Sequence, residues 1–181
     1  GARKRVLACS WSGAVLAIYA AALLGLAMTL PWWRMDSRAP QYGQRVLVVD
    51  VSPTGVKGDI KELDGLGHYI GMRTLDTFAP IERKLAPFAV GLVALAALAL
   101  PFVRSRRLRI ALAVPVVCVP IGFVIDLWAW QRYAVTHLDP TAALNMIANR
   151  IDARVYGHYA VAQFHVDAYF QAGFWLVVVA A

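Results

Sequence analysis

Only 16% of the 181 residues carry a charge, whereas an average soluble domain carries about 25%. So few charges cannot cover a soluble globule of this length, and the 60% hydrophobic content points instead to an integral membrane protein. Cysteine is equally sparse. Cys9 lies near one end of the first apolar run, and Cys118 lies about 15 Å into the third at the helical rise. Bridged Cα atoms usually lie within about 7 Å, so both residues read as buried thiols acting as small apolar side chains. No HExxH, CxxC, Walker A or GxSxG pattern occurs, which removes the motif signals of metalloproteases, redox pairs, NTPases and serine hydrolases. An excess of cations is present, net +7. The Lys and Arg are scattered without a soluble basic face, however, and no nucleic-acid role follows.

The apolar residues are gathered into blocks. The first runs from about Val6 to Leu30, the second from Leu85 to Val103 and the third from Leu108 to Trp130; a fourth begins near Ala172 and is still apolar at Ala181. About 20 apolar residues cross a hydrocarbon core of about 30 Å, so the fourth is predicted to be incomplete and the chain to continue beyond it. A cleavable signal peptide would have an apolar core of roughly 7–15 residues and a small-residue cleavage site. The first run is longer and enters Pro31-Trp32-Trp33-Arg34, which reads as a retained helix.

Arg3, Lys4 and Arg5 precede the first run, and Arg104, Arg106, Arg107 and Arg109 fill the link between the second and third. The positive-inside rule places both on the cytoplasmic side and the two long connections outside. Trp32, Trp33, Trp128, Trp130 and Tyr133 then fall at the outer ends of spans, where amphipathic rings prefer to sit. The expected fold is an α-helical integral membrane protein with about four transmembrane helices and a small extracytoplasmic α+β cap. It is multi-pass in the cell membrane, with a cytoplasmic N-terminus and lipid around it. Residues 1–31 supply the N-terminal segment and first span, 32–84 the cap, 85–130 two spans and a basic turn, 131–171 a second outer segment, and 172–181 the start of the fourth span.

Within the cap, Arg45–Val51 (RVLVVDV) is rich in β-branched residues and predicts a strand, closed by the turn residues Ser52-Pro53-Thr54-Gly55. Asp59 with Glu62 has capping-box spacing and predicts a helix start. Gly58–Met72 (GDIKELDGLGHYIGM) is a dense polar stretch in an otherwise Ala-, Val- and Leu-rich chain. On that helix His68 and Met72, four apart, would share a face, and imidazole with thioether suits copper, particularly Cu(I). The alternative is that His68 bonds a backbone carbonyl and Met72 packs against the spans. Gly65, Gly67 and Gly71 weaken a helix, each by up to about 1 kcal/mol relative to Ala, so a tight loop is the other conformational reading.

The second outer segment holds His137, His158 and His165. Asp139 and Pro140 suit an N-cap and first helical position, and the spacing of His158 and His165 puts them on one helix face. All four histidines, with Met35, Met72 and Met146, fall outside the cytoplasmic half, which favours an outward-facing metal function. Asp126 is the one acid well inside a span and so a functional candidate; it lies within about 8 Å of the outer end, where Arg34, Arg132 or water would satisfy it.

GDIKELDGLGHYIGM and the later LWAWQRYAVTHLDPTA resemble a family of small polytopic membrane proteins encoded near nitrous-oxide reductase and other copper-enzyme assembly genes. Its pattern is close to GDIxEINxLNHYIGM in one outer loop and YGHxLDPxAP after a later span. Gly58, Asp59, Ile60, Glu62, Leu66, His68, Tyr69, Ile70, Gly71 and Met72 match the first, and His137, Leu138, Asp139, Pro140 and Ala142 the second. Gly67 replaces an Asn, and Tyr133-Ala134-Val135-Thr136 precedes His137 instead of a Tyr-Gly-His run. The resemblance implies association with an extracytoplasmic copper enzyme, with His68, Met72 and His137 as candidate metal residues. Two readings follow. One is a non-catalytic accessory subunit packing against other membrane subunits of a copper-dependent complex, of monooxygenase or respiratory type. The other is a stand-alone copper chaperone. Small residues such as Ala20, Ala21, Ala22 and Gly25, which let helices approach closely, favour the packing role.

Overall fold

The structure is a computed structural model describing residues 2–142, 154–161 and 163–181. Four helices form one layer: α1 (Ala2–Ala27), α3 (Pro80–Ala99), α4 (Arg106–Thr136) and α5 (Ala172–Ala180). Helix α1 packs on α3 and α5, α3 on α4, and α4 on α5, closing a ring. Its core is Leu24 and Ala27 from α1, Val90, Val93 and Ala97 from α3, Val116 from α4, and Phe174 and Val177 from α5, with Trp32 at one end. From Trp11 onward the buried residues of α1 are Ala17, Leu24 and Ala27, spaced by seven and three along one helix face with a small residue at each end. Ala22 and Gly25, expected at the contact, face outward.

Among the described residues two helices are long and apolar enough to cross a membrane, Pro80–Phe102 (including a terminal 3-10 turn) and Arg106–Thr136; Trp11–Ala27 is a shorter apolar helix. Their outer surfaces are apolar as well. Trp11, Leu16, Phe88, Leu92 and Phe102 are each at least 67% exposed, far from the scattered single residues that a soluble surface tolerates.

Above this layer lies a sheet richer than the single predicted strand. Five antiparallel strands run in the order β3-β2-β1-β5-β4: β1 (Trp33–Arg38), β2 (Leu47–Ser52), β3 (Gly55–Gly58), β4 (Gly157–Val161) and β5 (Phe164–Phe170). Strand β2 is the expected one, and the turn after it leads into β3. The central pair joins the two outer segments, with Trp33 opposite Phe170 and Arg38 opposite His165. Period-two alternation sends Trp33, Leu47, Val49, Val166 and Ala168 to the buried face. The other face is a polar ladder. Arg34 makes two 2.7 Å bonds to the Asp50 carboxylate, Tyr169 Oη donates to Asp36, and Asp167 accepts from Arg38 at 2.8 Å and lies against the His158 ring. The Asp50 carboxylate beside it raises the Arg34 value, and the His158 ring does most to lower that of Asp167. His158 and His165 are thus strand residues of β4 and β5, not members of one helix face.

Trp32 and Trp33 are not belt residues but are 2% and 4% exposed, and they tie the layers together. Trp32 Nε1 donates to Ala27 O at 2.9 Å, and Trp33 Nε1 to Val155 O at 2.6 Å. Gly173 lets α5 tuck under this corner, since a Cβ there would lie 2.5 Å from Trp32 Cδ1.

Helix α2 (Ile60–Ile70) forms as expected from the polar stretch, but without the capping box. The Asp59 carboxylate instead accepts from Val48 N–H at 2.9 Å while Asp59 N–H donates to Val48 O at 2.8 Å, a reciprocal clasp onto β2. Arg45 reaches Asp59 at 2.7 Å and Glu62 at 3.3 Å. Only glycine fits before this clasp: Gly58 has φ 118°, and a Cβ would lie 2.0 Å from Val48 O.

Candidate functional site

The polar stretch ends where α2 ends. Gly71 takes φ 82°, Met72 N–H donates to Gly67 O at 2.9 Å and Gly71 N–H to His68 O at 3.1 Å, the paired bonds of a Schellman termination. The helical face that His68 and Met72 were to share therefore stops at Ile70. His68 is exposed on the last turn, whereas Met72 is part-buried on the wall of a partly open cavity. The i, i+4 pairing geometry on which a His68–Met72 metal site rested does not form. Met146 lies outside the described residues.

The same Gly71 meets the second motif. Asp139 N–H donates to Gly71 O at 2.9 Å, and a Cβ on Gly71 would lie 2.7 Å from Asp139 O, 2.8 Å from Asp139 N and 3.0 Å from Ala142 Cβ. Next to it the Arg73 guanidinium sits over the Tyr133 ring at 5.9 Å, and the His137 ring stacks on Tyr133 at 4.0 Å. Stretches far apart in sequence thus close backbone to backbone into one junction. His68, Tyr69 and His137 are exposed on it, and His137 Nδ1 lies 3.0 Å from Thr136 Oγ1. Asp139 is held by its own turn, accepting from Thr141 N–H at 2.8 Å and Thr141 Oγ1 at 2.6 Å. These bonds, with a smaller contribution from the nearby His68 charge, keep its carboxyl below the usual range. The helix expected after Pro140 falls largely on residues outside those described.

The acids of the polar stretch are structural. Asp59 clasps β2, and Asp64 accepts from Leu75 N–H at 2.6 Å, pinning the 3-10 turn that leads into α3. No protein-family model, characterised protein or solved structure matches the chain. What distinguishes the junction is therefore its geometry and the motif residues themselves.

Between the buried face of the sheet, α2 and the adjoining ends of α3 and α4 lies a cavity of about 590 Å³. Met35, Met72, Tyr159 and Trp130 line it, with Glu82, Asp126 and Gln131 at the helix ends. Tyr159 Oη donates to Met35 Sδ at 3.6 Å, and burial pushes the phenol up to about 12. Arg34 is committed to Asp50 and Arg132 is exposed, so neither satisfies Asp126 as expected. It lies on the cavity wall together with Trp130 and Glu82. Glu82 and Gln131 were not singled out in the sequence, where each borders an apolar run beside a basic residue and reads as interfacial. That both lie on the wall of one cavity is a tertiary fact with no local signal.

Proposed function

We propose that the chain is a non-catalytic accessory subunit of a multi-subunit membrane copper enzyme, with about four membrane-spanning helices and an outward-facing cap. The observation carrying this is the motif junction. Gly71 and Asp139 lock the two stretches backbone to backbone, leaving His68, Tyr69 and His137 exposed on a fixed scaffold. Residues presented rigidly in this way suit recognition of a partner at little entropic cost, and an exposed tyrosine with the His68 ring beside it suits an interface anchor. The copper assignment comes from the motifs. Apolar helix exteriors support the membrane setting, and the position of Met72 in the cavity favours docking over a His68–Met72 ligand pair.

Affinity purification from native membranes tests the reading. The wild type should recover a copper-containing membrane complex, and His68→Ala/Tyr69→Ala should lower recovery about tenfold or more, the scale of losing an interface anchor. Cu(I) competition against a chromophoric chelator distinguishes the chaperone reading. Stoichiometric Cu(I) on the isolated wild type, lost in His68→Ala and His137→Ala, would replace the accessory role with copper carriage.

A further inference from the structure

We propose that the cavity beneath the sheet is a binding site for a neutral lipophilic molecule with a carbonyl head, held by the hydroxyls of Ser37 and Tyr159. Its volume, about 590 Å³, lies within the range of about 300–1,000 Å³ typical of small-molecule sites, which pair an apolar wall with a few convergent polar groups. One face of the sheet forms the roof. Alternation along β1 turns Trp33, Met35 and Ser37 to that face, and Val49 of β2, Val166 of β5 and Tyr159 of β4 line the cavity with them. Ser37 and Tyr159 belong to one cross-strand row, since Val166 between them is paired with both.

Neither hydroxyl has a good acceptor. Ser37 is 2% exposed and lines the cavity, and among the described residues its side chain has no hydrogen-bond partner. A buried hydroxyl without a partner is rare in a folded protein and calls for an occupant. Tyr159 reaches across β5 to β1, where its Oη donates to Met35 Sδ at 3.6 Å, and a thioether is a weak acceptor. The phenol stays a donor, because burial pushes it up to about 12. Met35 and Ser37 are next but one on the same face of β1, so the two hydroxyls open onto the same stretch of strand. Other polar groups on the sheet side are engaged: Gln163 donates to Gln41 at 2.7 Å, and Ser52 Oγ to Gly55 O at 3.0 Å. A carbonyl oxygen has two lone pairs and can accept from both hydroxyls. Water needs several polar partners to stay in a cavity, and Val49, Val51, Phe123 and Val166 on this wall offer none. An anionic head is disfavoured by Asp64, Glu82 and Asp126 on the helical wall.

Ligands of equal chain length and different head group test the site. Decyl methyl ketone, dodecane and dodecanoate, each with a terminal bromine, are titrated onto the protein in nanodiscs. Saturable quenching of the lining Trp33 and Trp130 is the readout, and each affinity is referred to the ligand's partition into empty nanodiscs. The ketone should bind about tenfold more tightly than dodecane, the scale of two hydrogen bonds from hydroxyls, and dodecanoate should not exceed partition. Ser37→Ala and Tyr159→Phe, which remove one hydroxyl each, should weaken the ketone about three- to tenfold and leave dodecane unchanged. Equal affinity for ketone and dodecane in the wild type, or ketone affinity unaltered in both variants, would overturn the proposal. So would ketone binding no greater than partition. Repeating the ketone titration in discs of ester-linked and of ether-linked lipid identifies the source of the carbonyl. Equal affinity in the two supports a free ligand, and weaker binding in the ester-linked discs supports a lipid ester as the occupant. The head-group series is read on the wild type alone, so a misfolded variant does not protect the proposal.

Discussion

A single acid shows how the polar stretch is used. Asp59 looks like a helix cap by spacing, yet its carboxylate turns away from α2 to the backbone of β2 and to Arg45. Both bonds favour the charged form, and the Val48 N–H contributes most to lowering the Asp59 value. A carboxyl whose folded-state value is depressed stabilises the fold at pH above its unfolded value of about 3.9. That contribution is lost as the pH falls through the folded-state value. Asp59→Asn should therefore lower the denaturant midpoint of the cap at pH 7. The difference from wild type should shrink below about pH 4 and vanish once the wild-type carboxyl is protonated. Tryptophan fluorescence across an acid series checks this, because Trp33 lies in β1. A difference that stays constant with pH would mean that the side chain acts by shape and not by charge.

At the scale of elements, the glycines of α2 divide into two kinds. Gly65 is in a helix interior with nothing within 4 Å of a built Cβ, whereas Gly71 is left-handed and pressed against Asp139. Gly65→Ala should be neutral or stabilising by up to about 1 kcal/mol. Gly71→Ala should cost about 2–4 kcal/mol, from left-handed strain of about 1–2 kcal/mol plus overpacking. Thermal unfolding of the two variants side by side separates helix propensity from junction packing, and equal effects would mean that the junction does not constrain the cap. These elements also show what the sequence could convey. RVLVVDV announced β2 through its β-branched run, and GDIKELDGLGHYI announced α2, because both signals are local. Strand β1, WRMDSR, carries charges at every second place and lies beside the first apolar run, so it reads as an interfacial loop. Only its pairing with β5, on residues over a hundred positions away, makes it the centre of a sheet. His158 and His165 mislead for the same reason: their spacing fits a helix, but cross-strand partners fix them in a hairpin. The motif residues were legible as a set, while their meeting at Gly71 depends on the fold of α4 and could not be read from spacing.

For the whole molecule, the question is which way the ring of helices sits. The ring buries a narrow seam and leaves Leu16, Phe88, Leu92 and Phe102 outside. In water, apolar surface on that scale costs roughly 25 cal/mol per Å², and in a bilayer it costs nothing. The sheet and α2 gather at the end of the bundle opposite the link between α3 and α4, where Arg104, Arg106, Arg107 and Arg109 lie. A cluster of arginines on one short link is the strongest orienting signal a chain offers, so the cap should face away from the cytoplasm. Single cysteines in a Cys9→Ser/Cys118→Ser background test this directly: Thr54→Cys in the β2–β3 turn and Ser105→Cys in the basic link, each treated with a membrane-impermeant maleimide. With the outer surface exposed, Thr54→Cys should label and Ser105→Cys should remain protected until the membrane is opened. The reverse pattern would turn the molecule over and place His68, Tyr69 and His137 out of reach of any extracytoplasmic enzyme, whereas labelling of both sites in sealed membranes would mean that α3 and α4 do not cross at all.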